Sequence, residues 1–410
     1  MQSNAPSKRR WYLLTLASVT GTLVTAMPFA CLPVLFAEIE RDLSLNHTQV
    51  GVIWGAGGLA TVFVSLIGGM LGDRFGVKRL MVFACVFIGI TGALRGLSGS
   101  YATLAATVFL NGLVRAVVPV NTTKGLATWF RGRGLGLASG IMGMGMGIGL
   151  TLGSMISATY LSPLLGGWRN VLYFYGAISA AMGIFWAFSP REEPAAAPTG
   201  AVPARPPLGG ALRKLLRLRG IWLISLTIML RQGAISGLVG YMPLFLRGRG
   251  WSGSSADDSV AIFYLFSALA VIPLCVLSDR IGGRKAIVLA AIGTTVVAVG
   301  LMPFVNGAIV WLLMGLTGMF MDSFMALSST MVLETDGVGL LNSGSAVGIV
   351  FTIAPIGSAF APPIGNSLDR INAGLPFAFW AALAAMSIVT MALTRDTGWR
   401  KSRYAGKLTT

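Results

Sequence analysis

Three charged side chains stand inside runs of apolar residues. Arg115 is flanked by Val114, Ala116, Val117 and Val118; Arg231 follows Leu226-Thr227-Ile228-Met229-Leu230 and precedes Gln232; Asp322 lies in Gly318-Met319-Phe320-Met321-Asp322-Ser323. A guanidinium presents a planar fork that holds a carboxylate, sulfonate or phosphate through two parallel hydrogen bonds. A lone carboxylate near two such forks either neutralises one of them or serves as a proton carrier. Even with one pair formed, two positive charges against one negative leave a surplus that an anion would balance. The chemistry expected of this trio is recognition of a small anion by Arg115 and Arg231, with Asp322 taking up a proton once the anion engages the arginines. A second reading makes Asp322 a packing partner of one arginine and nothing more.

The elements that must carry these residues follow from composition. With 54% hydrophobic and only 11% charged residues over 410 positions and a mean hydropathy of +0.75, the chain has too little polar surface for a soluble globule and belongs in lipid. Apolar stretches long enough to cross about 30 Å of hydrocarbon, about 20 residues each, occur at 11–37, 49–72, 80–97, 102–128, 135–160, 168–188, 220–246, 257–278, 285–304, 308–333, 340–364 and 374–394. The expected fold is an all-α integral membrane protein of twelve transmembrane helices. At about 1.5 Å per residue, Arg115 sits roughly 20 Å from either end of its helix, too deep to reach water along its own stem. Arg231 and Asp322 are comparably deep. An even number of spans puts both termini on one face. Of the 31 Lys and Arg residues, 22 fall in connections on that face, while Arg41, Arg95, Arg169, Arg247, Arg249 and Arg370 fall on the other. The positive-inside bias therefore predicts cytoplasmic termini in an inner (plasma) membrane.

Several classes are excluded. The net charge of +17 is dispersed in short clusters between apolar segments, which is no nucleic-acid stripe. Cys31, Cys85 and Cys275 lie in apolar runs without metal-ligand spacing, and the one histidine, His47, is in a polar loop. No metal site, cofactor or nucleophile–base pair is signalled, so no enzyme is expected. The glycines of helix 5, Gly140, Gly143, Gly145, Gly147, Gly149 and Gly153, lack the preceding strand of a nucleotide site and read as a packing face. Pro355, Pro362 and Pro363, with Gly344, Gly348 and Gly357, predict that helix 11 bends during gating.

The two halves carry the same punctuation. Gly69-Met70-Leu71-Gly72-Asp73-Arg74-Phe75-Gly76-Val77-Lys78-Arg79 joins helices 2 and 3, and Leu277-Ser278-Asp279-Arg280-Ile281-Gly282-Gly283-Arg284-Lys285 joins helices 8 and 9, with Asp73 and Asp279 206 residues apart. A Pro- and Ala-rich stretch from Ser189 to Pro207, followed by basic residues to Arg219, separates them. In these features the chain resembles the major facilitator superfamily of secondary transporters along nearly its whole length, and Trp129-Phe130 before Arg131-Gly132-Arg133-Gly134, with Gly167-Trp168-Arg169 after helix 5, is similar to that family's organic-anion branches. The resemblance implies two pseudo-symmetric six-helix bundles, 1–188 and 220–410, joined by a linker at 189–219. It implies alternating access about a cavity lined by helices 1, 4, 7 and 10. It also assigns a conformational role to Gly69, Asp73, Arg74, Gly76, Arg79, Asp279, Arg280 and Arg284. The 206-residue period carries Arg115 to position 321, beside Asp322, and Arg231 back to Thr25. Arg115, Arg231, Thr25, Gln232 and Asn121 are thus the expected substrate contacts at the bilayer midplane, and Asp322 the proton-coupling group. The expected activity is proton-coupled symport of a small mono- or dicarboxylate by a monomer whose partners are the anion, protons and the lipid bilayer. Anion exchange and export of amphipathic compounds are the alternatives. Neither the helix 8 arginine of the oxalate and monocarboxylate branches nor the helix 2 arginine of the nitrate branch is found.

Overall fold

The computed structural model describes residues 8–130, 134–189 and 213–397; the linker sequence 190–212 and the residues Arg131-Gly132-Arg133 lie outside them. Among the described residues twelve helical spans follow one another: α1 (8–43), α2 (His47–Phe75), α3 (Val77–Gly96), α4 (101–129), α5 (Gly134–Leu165), α6 (Trp168–Phe188), α7 (Arg219–Gly248), α8 (Gly253–Ile281), α9 (Lys285–Leu301), α10 (Ala308–Leu333), α11 (Gly339–Ser367) and α12 (Leu375–Ala392). Local signals set their ends. Ser100 opens α4 through a capping box with Thr103, and Ser252 caps α8 by accepting from the Ser255 amide. Gly76 and Gly282 end their helices at φ 76°, a conformation that favours glycine.

Packing repeats with the sequence. In the first half α1 packs on α5, α2 on α4 and α3 on α6; in the second, α7 packs on α11, α8 on α10 and α9 on α12. Each pair maps onto its counterpart by a step of six helices. The halves meet through α2 with α11, α5 with α8, and α1 with α7, again a self-consistent set under that step. Exposed apolar side chains recur at helical spacing on the outermost helices: Phe83, Phe87 and Ile90 on α3, and Met386, Val389 and Leu393 on α12. Such stripes fit a lipid-facing surface. Small residues permit the close crossings. Gly145, Gly149 and Gly153 of α5 lie so close to α1 that an added Cβ would fall within 2.3–2.7 Å of Ser18, Ala26 or Met27 atoms.

Among the described residues three of the spans are interrupted at mid-depth, and α5 widens into a further π turn at Ser157–Leu161 toward its end. α1 widens into a π turn at Gly21–Ala26. α4 breaks at Ala116, where Pro119 supplies no N–H for the carbonyl of Arg115 four residues earlier. α10 breaks at Phe320, where the Asp322 amide donates to Ser267 Oγ on α8 (3.2 Å). Arg115 and Asp322 therefore flank matching interruptions in the two halves. By contrast, α11 runs as one helix through Pro355, Pro362 and Pro363.

Candidate functional site

Between the halves lies a cavity of about 270 Å³ bordered by Phe29, Trp54, Gly57, Gly58 and Thr61 of the first half, and by Gln232, Ser236, Phe263, Tyr264, Met321 and Phe351 of the second. Arg115 enters it from the break in α4. Its guanidinium carbon lies 4.4 Å from the centroid of the Phe29 ring, a cation–π contact. Phe29 in turn stacks on Trp54 (4.8 Å). The Trp54 indole N–H donates across to the Ser236 carbonyl on α7 (2.9 Å). A contiguous stack thus runs from the cation to the opposite half. Among the described residues, no carboxylate oxygen comes within 4 Å of Arg115; the ion pairs involve other arginines and His47. A cation in this position attracts an anion of size suited to the cavity.

The other sequence-derived residues are placed as follows. Gln232 borders the cavity and its buried Oε1 has no hydrogen-bond partner. Arg231, one residue earlier and about 100° around the helix, turns away into the second half. There it is fully buried, donates from Nε to Thr295 Oγ1 (3.1 Å) and lies 4.2 Å over Phe324, with neither terminal nitrogen bonded. Thr25 is buried in the π turn of α1, its hydroxyl without a partner. Asn121 is buried on α4 and donates to the Val117 carbonyl (2.8 Å). Asp322 is exposed at the α8–α10 contact and accepts from Ser267 Oγ (2.7 Å). It occupies the first turn of the second segment of α10, where the helix dipole favours a carboxylate. Tyr264 is within electrostatic reach of both Arg115 and Asp322.

One expectation is corrected. Arg95, assigned above to a solvent-facing connection, is the penultimate residue of α3 and only 2% exposed. Its Nη1 donates to the Pro28 carbonyl on α1 (3.4 Å). With Pro28, Phe29, Trp54, Asn111 and Arg115 it lines a niche of about 20 Å³ beside the main cavity. The sequence placed it one turn too far out, because Gly96, Ser98 and Gly99 mark a loop while the side chain reaches back along its helix.

The signature loops are at the face bearing the termini. The backbones of Gly69, Asp73 and Arg74 close α2, but their side chains lie outside the described ones; Arg79 is exposed. In the second loop Arg284 donates to both Glu334 oxygens (2.8 and 2.9 Å) at the end of α10 and to Asp279 (3.2 Å), while Arg280 is exposed. Lys285 donates to the carbonyls of Ala392 and Thr394, tying the same loop to α12. The loop thereby fastens three helix ends.

Among the described residues, the hydrogen bonds from Trp54, His47, Asn366 and Thr159 that join the halves fall between mid-depth and the far face. His47 lies at the start of α2, before the apolar run. Its Nε2 is 3.3 Å from Glu40 and its Nδ1 2.5 Å from Asp369, which also accepts from Tyr241 (2.6 Å). Asn366 donates to the His47 carbonyl (2.9 Å), and Thr159 of α5 donates to Asp257 of α8 (3.3 Å). Asp257 is fully buried and receives Arg247 (2.7 Å). The Glu40 bond, then Asp369, push the His47 imidazole up from 6.5 to about 9 against the opposing effect of burial. Because the folded state holds this proton more tightly than an unfolded chain does, the latch contributes stability that is whole below pH 6.5 and lost as pH rises through about 9. Thermal midpoints measured from pH 7 to 10 should fall in the wild type and run flatter in His47→Gln. Parallel curves would remove His47 from the latch.

The comparisons with known proteins agree with this architecture. The Major Facilitator Superfamily pattern matches residues 19–257 and 248–407. The "Probable nitrate/nitrite antiporter NarK1" of Thermus thermophilus is 26% identical over 96% of this chain and 93% of its own. The "Probable galactarate/D-glucarate transporter GudP" of Bacillus subtilis is 24% identical over 45% of this chain and 42% of its own. A bacterial homologue of the human lysosomal transporter Spinster, solved inward-facing and unoccupied, superposes with a TM-score of 0.73 at 17% identity over 95% of both chains. Twelve spans in two matching halves, a cavity between them and a family pattern spanning both halves lead to one assignment: the chain belongs to the Major Facilitator Superfamily and is a multi-pass membrane transporter, not an enzyme.

Proposed function

We propose that the protein carries a small organic anion, a mono- or dicarboxylate, across the inner membrane by alternating access, coupled to protons, with its termini in the cytoplasm. The observation that carries this reading is the guanidinium of Arg115, which lines the cavity between the halves, stacks on Phe29 and has no carboxylate partner among the described residues. The named relatives that transport nitrate or sugar diacids support the anionic class. The cavity favours an organic anion over a bare inorganic one, since its volume of about 270 Å³ is walled by Trp54, Phe263 and Phe351 while α2 offers it Gly57, Gly58 and Thr61 and no basic residue. The stack Arg115–Phe29–Trp54–Ser236 supplies a mechanical link: an anion that fixes the guanidinium orders the group that bonds the opposite half. Conformational change then follows from differential contact with the two states.

Asp322 is the proposed proton carrier; it accepts from Ser267 Oγ and, among the described residues, does not pair directly with Arg115. Uptake into proteoliposomes under an imposed proton gradient tests this. In Asp322→Asn, gradient-driven accumulation should drop to the no-gradient level while equilibrium binding persists; accumulation that still follows the gradient would sink the assignment. Anion exchange is the second reading, favoured by the NarK1 antiporter's match along 96% of this chain. It predicts that uptake requires anion preloaded inside the vesicle and ignores the proton gradient.

A further inference from the structure

The niche beside the main cavity brings two arginines together from different helices. Arg95 comes from the end of α3 and Arg115 from the break in α4, and both line the same space of about 20 Å³ with Pro28, Phe29, Trp54 and Asn111. Arg95 is 2% exposed and its Nε is buried without a hydrogen-bond partner. Its hydrogen bond to the Pro28 carbonyl is long at 3.4 Å. Asn111 is committed elsewhere, donating to Thr91 Oγ1 (3.0 Å) and the Ile88 carbonyl (3.3 Å). No ion pair among the described residues involves either arginine.

Two guanidiniums lining one buried niche repel one another and each loses hydration, a combination tolerated when a ligand of opposite charge completes it. The niche has room for about one water molecule, hence for a single oxygen atom. It adjoins the main cavity, with which it shares Phe29, Trp54, Gly57 and Arg115.

We propose that Arg95 and Arg115 together form the head-group subsite, in which one oxygen of a substrate carboxylate enters the niche against Arg95 while the other stays in the main cavity on the fork of Arg115. This rests on the anion-transport reading above and makes it more specific. The carboxylate binds to the first half, and the remainder of the molecule projects toward Gln232, Ser236 and Tyr264 of the second. An anion so placed neutralises both cations, so the subsite selects charge at one end of the substrate and leaves the other end to the second half. Arg95 has a rival role, holding α3 to α1 through the Pro28 carbonyl.

A double-mutant cycle separates the two. Binding of sodium acetate, sodium glucarate and potassium nitrate to purified protein is measured for wild type, Arg95→Gln, Arg115→Ala and the double variant. Glutamine keeps a donor for the Pro28 carbonyl but removes the charge. Arg95→Gln should melt at the wild-type temperature without anion yet bind the preferred anion at least about tenfold more weakly, and the double variant should lose less than the sum of the singles. Arg95→Lys, which restores charge without the fork, should recover part of the loss. Wild-type affinity in Arg95→Gln, with Arg115→Ala impaired, would overturn the paired subsite while leaving the anion reading intact. Binding of none of the three anions to wild type would overturn both. A fall in melting temperature for Arg95→Gln but not Arg95→Lys, with affinities unchanged in each, would make Arg95 a helix tie and also overturn the proposal.

Discussion

Arg115→Ala should abolish concentrative anion uptake. Truncating one partner of a desolvated, hydrogen-bonded charge pair costs about 2–5 kcal/mol, which corresponds to roughly 30-fold to several-thousand-fold in affinity. The loss is not a folding defect by this account. The Arg115 guanidinium contacts the Phe29 ring and no carboxylate among the described residues, so its removal takes away an uncompensated cation and should leave the melting temperature measured without anion unchanged or slightly raised. Arg115→Lys keeps the charge and discards the fork, so it should fall between the two in uptake. Initial rates in proteoliposomes, set beside melting curves of the same preparations, check the pair of expectations. Uptake within about threefold of wild type would reduce Arg115 to a packing residue.

Gly55→Val should stop transport by a different route. A Cβ at position 55 would lie 2.2 Å from the Ala359 carbonyl oxygen and 3.1 Å from its carbon, both backbone atoms of α11. Gly51, one turn earlier, is within 2.9 Å of Pro362 and Pro363 backbone in the same sense. The α2–α11 crossing therefore cannot close on a side chain at 55, and the His47–Asp369 and Asn366–His47 contacts near the same end depend on that closure. Overpacking costs about 1–3 kcal/mol, enough to move a conformational equilibrium by about 5- to 150-fold. Each half retains its own helix pairs, so the protein should fold. The expected result is a transporter held open at the far face. Ser358→Cys, a cavity-lining position, should then react faster with a membrane-impermeant thiol reagent from that face in the Gly55→Val background, while uptake collapses. Unchanged labelling with normal uptake would contradict the close-crossing argument.

The twelve spans were legible because a run of about 20 apolar residues has few other uses, and Arg115 because a charge inside such a run stands out by type alone. The break at Arg115 was legible too in principle: Pro119 lies four residues downstream of it. Which way a side chain faces was not. Arg231 and Gln232 are neighbours in sequence, yet the helix turns one into the second half and the other to the cavity, and that rotation is set by packing on α9 and α10. Arg95 and the His47 latch were missed for a related reason. Arg95 meets Pro28 at a separation of 67 residues and His47 meets Asp369 at 322, and a single sequence does not record contacts at such distance. Asp322 was found by its type and depth, but its hydrogen-bond partner on α8, Ser267, is an uncharged residue between Phe266 and Ala268 that nothing in its type singles out.

The most direct test of the central claim is the thermal stability of the purified wild-type protein titrated with acetate, glucarate and nitrate salts and, in parallel, with glucitol, an uncharged polyol of the same chain length as glucarate. A ligand that binds only the native state stabilises it, by about 2.7 kcal/mol at a concentration 100 times Kd. The account predicts that at least one of the carboxylates raises the melting temperature in a saturable way, that glucitol does not, and that Arg115→Ala erases the shift. Stabilisation by glucitol equal to that by glucarate, or a glucarate shift that survives Arg115→Ala, would contradict it.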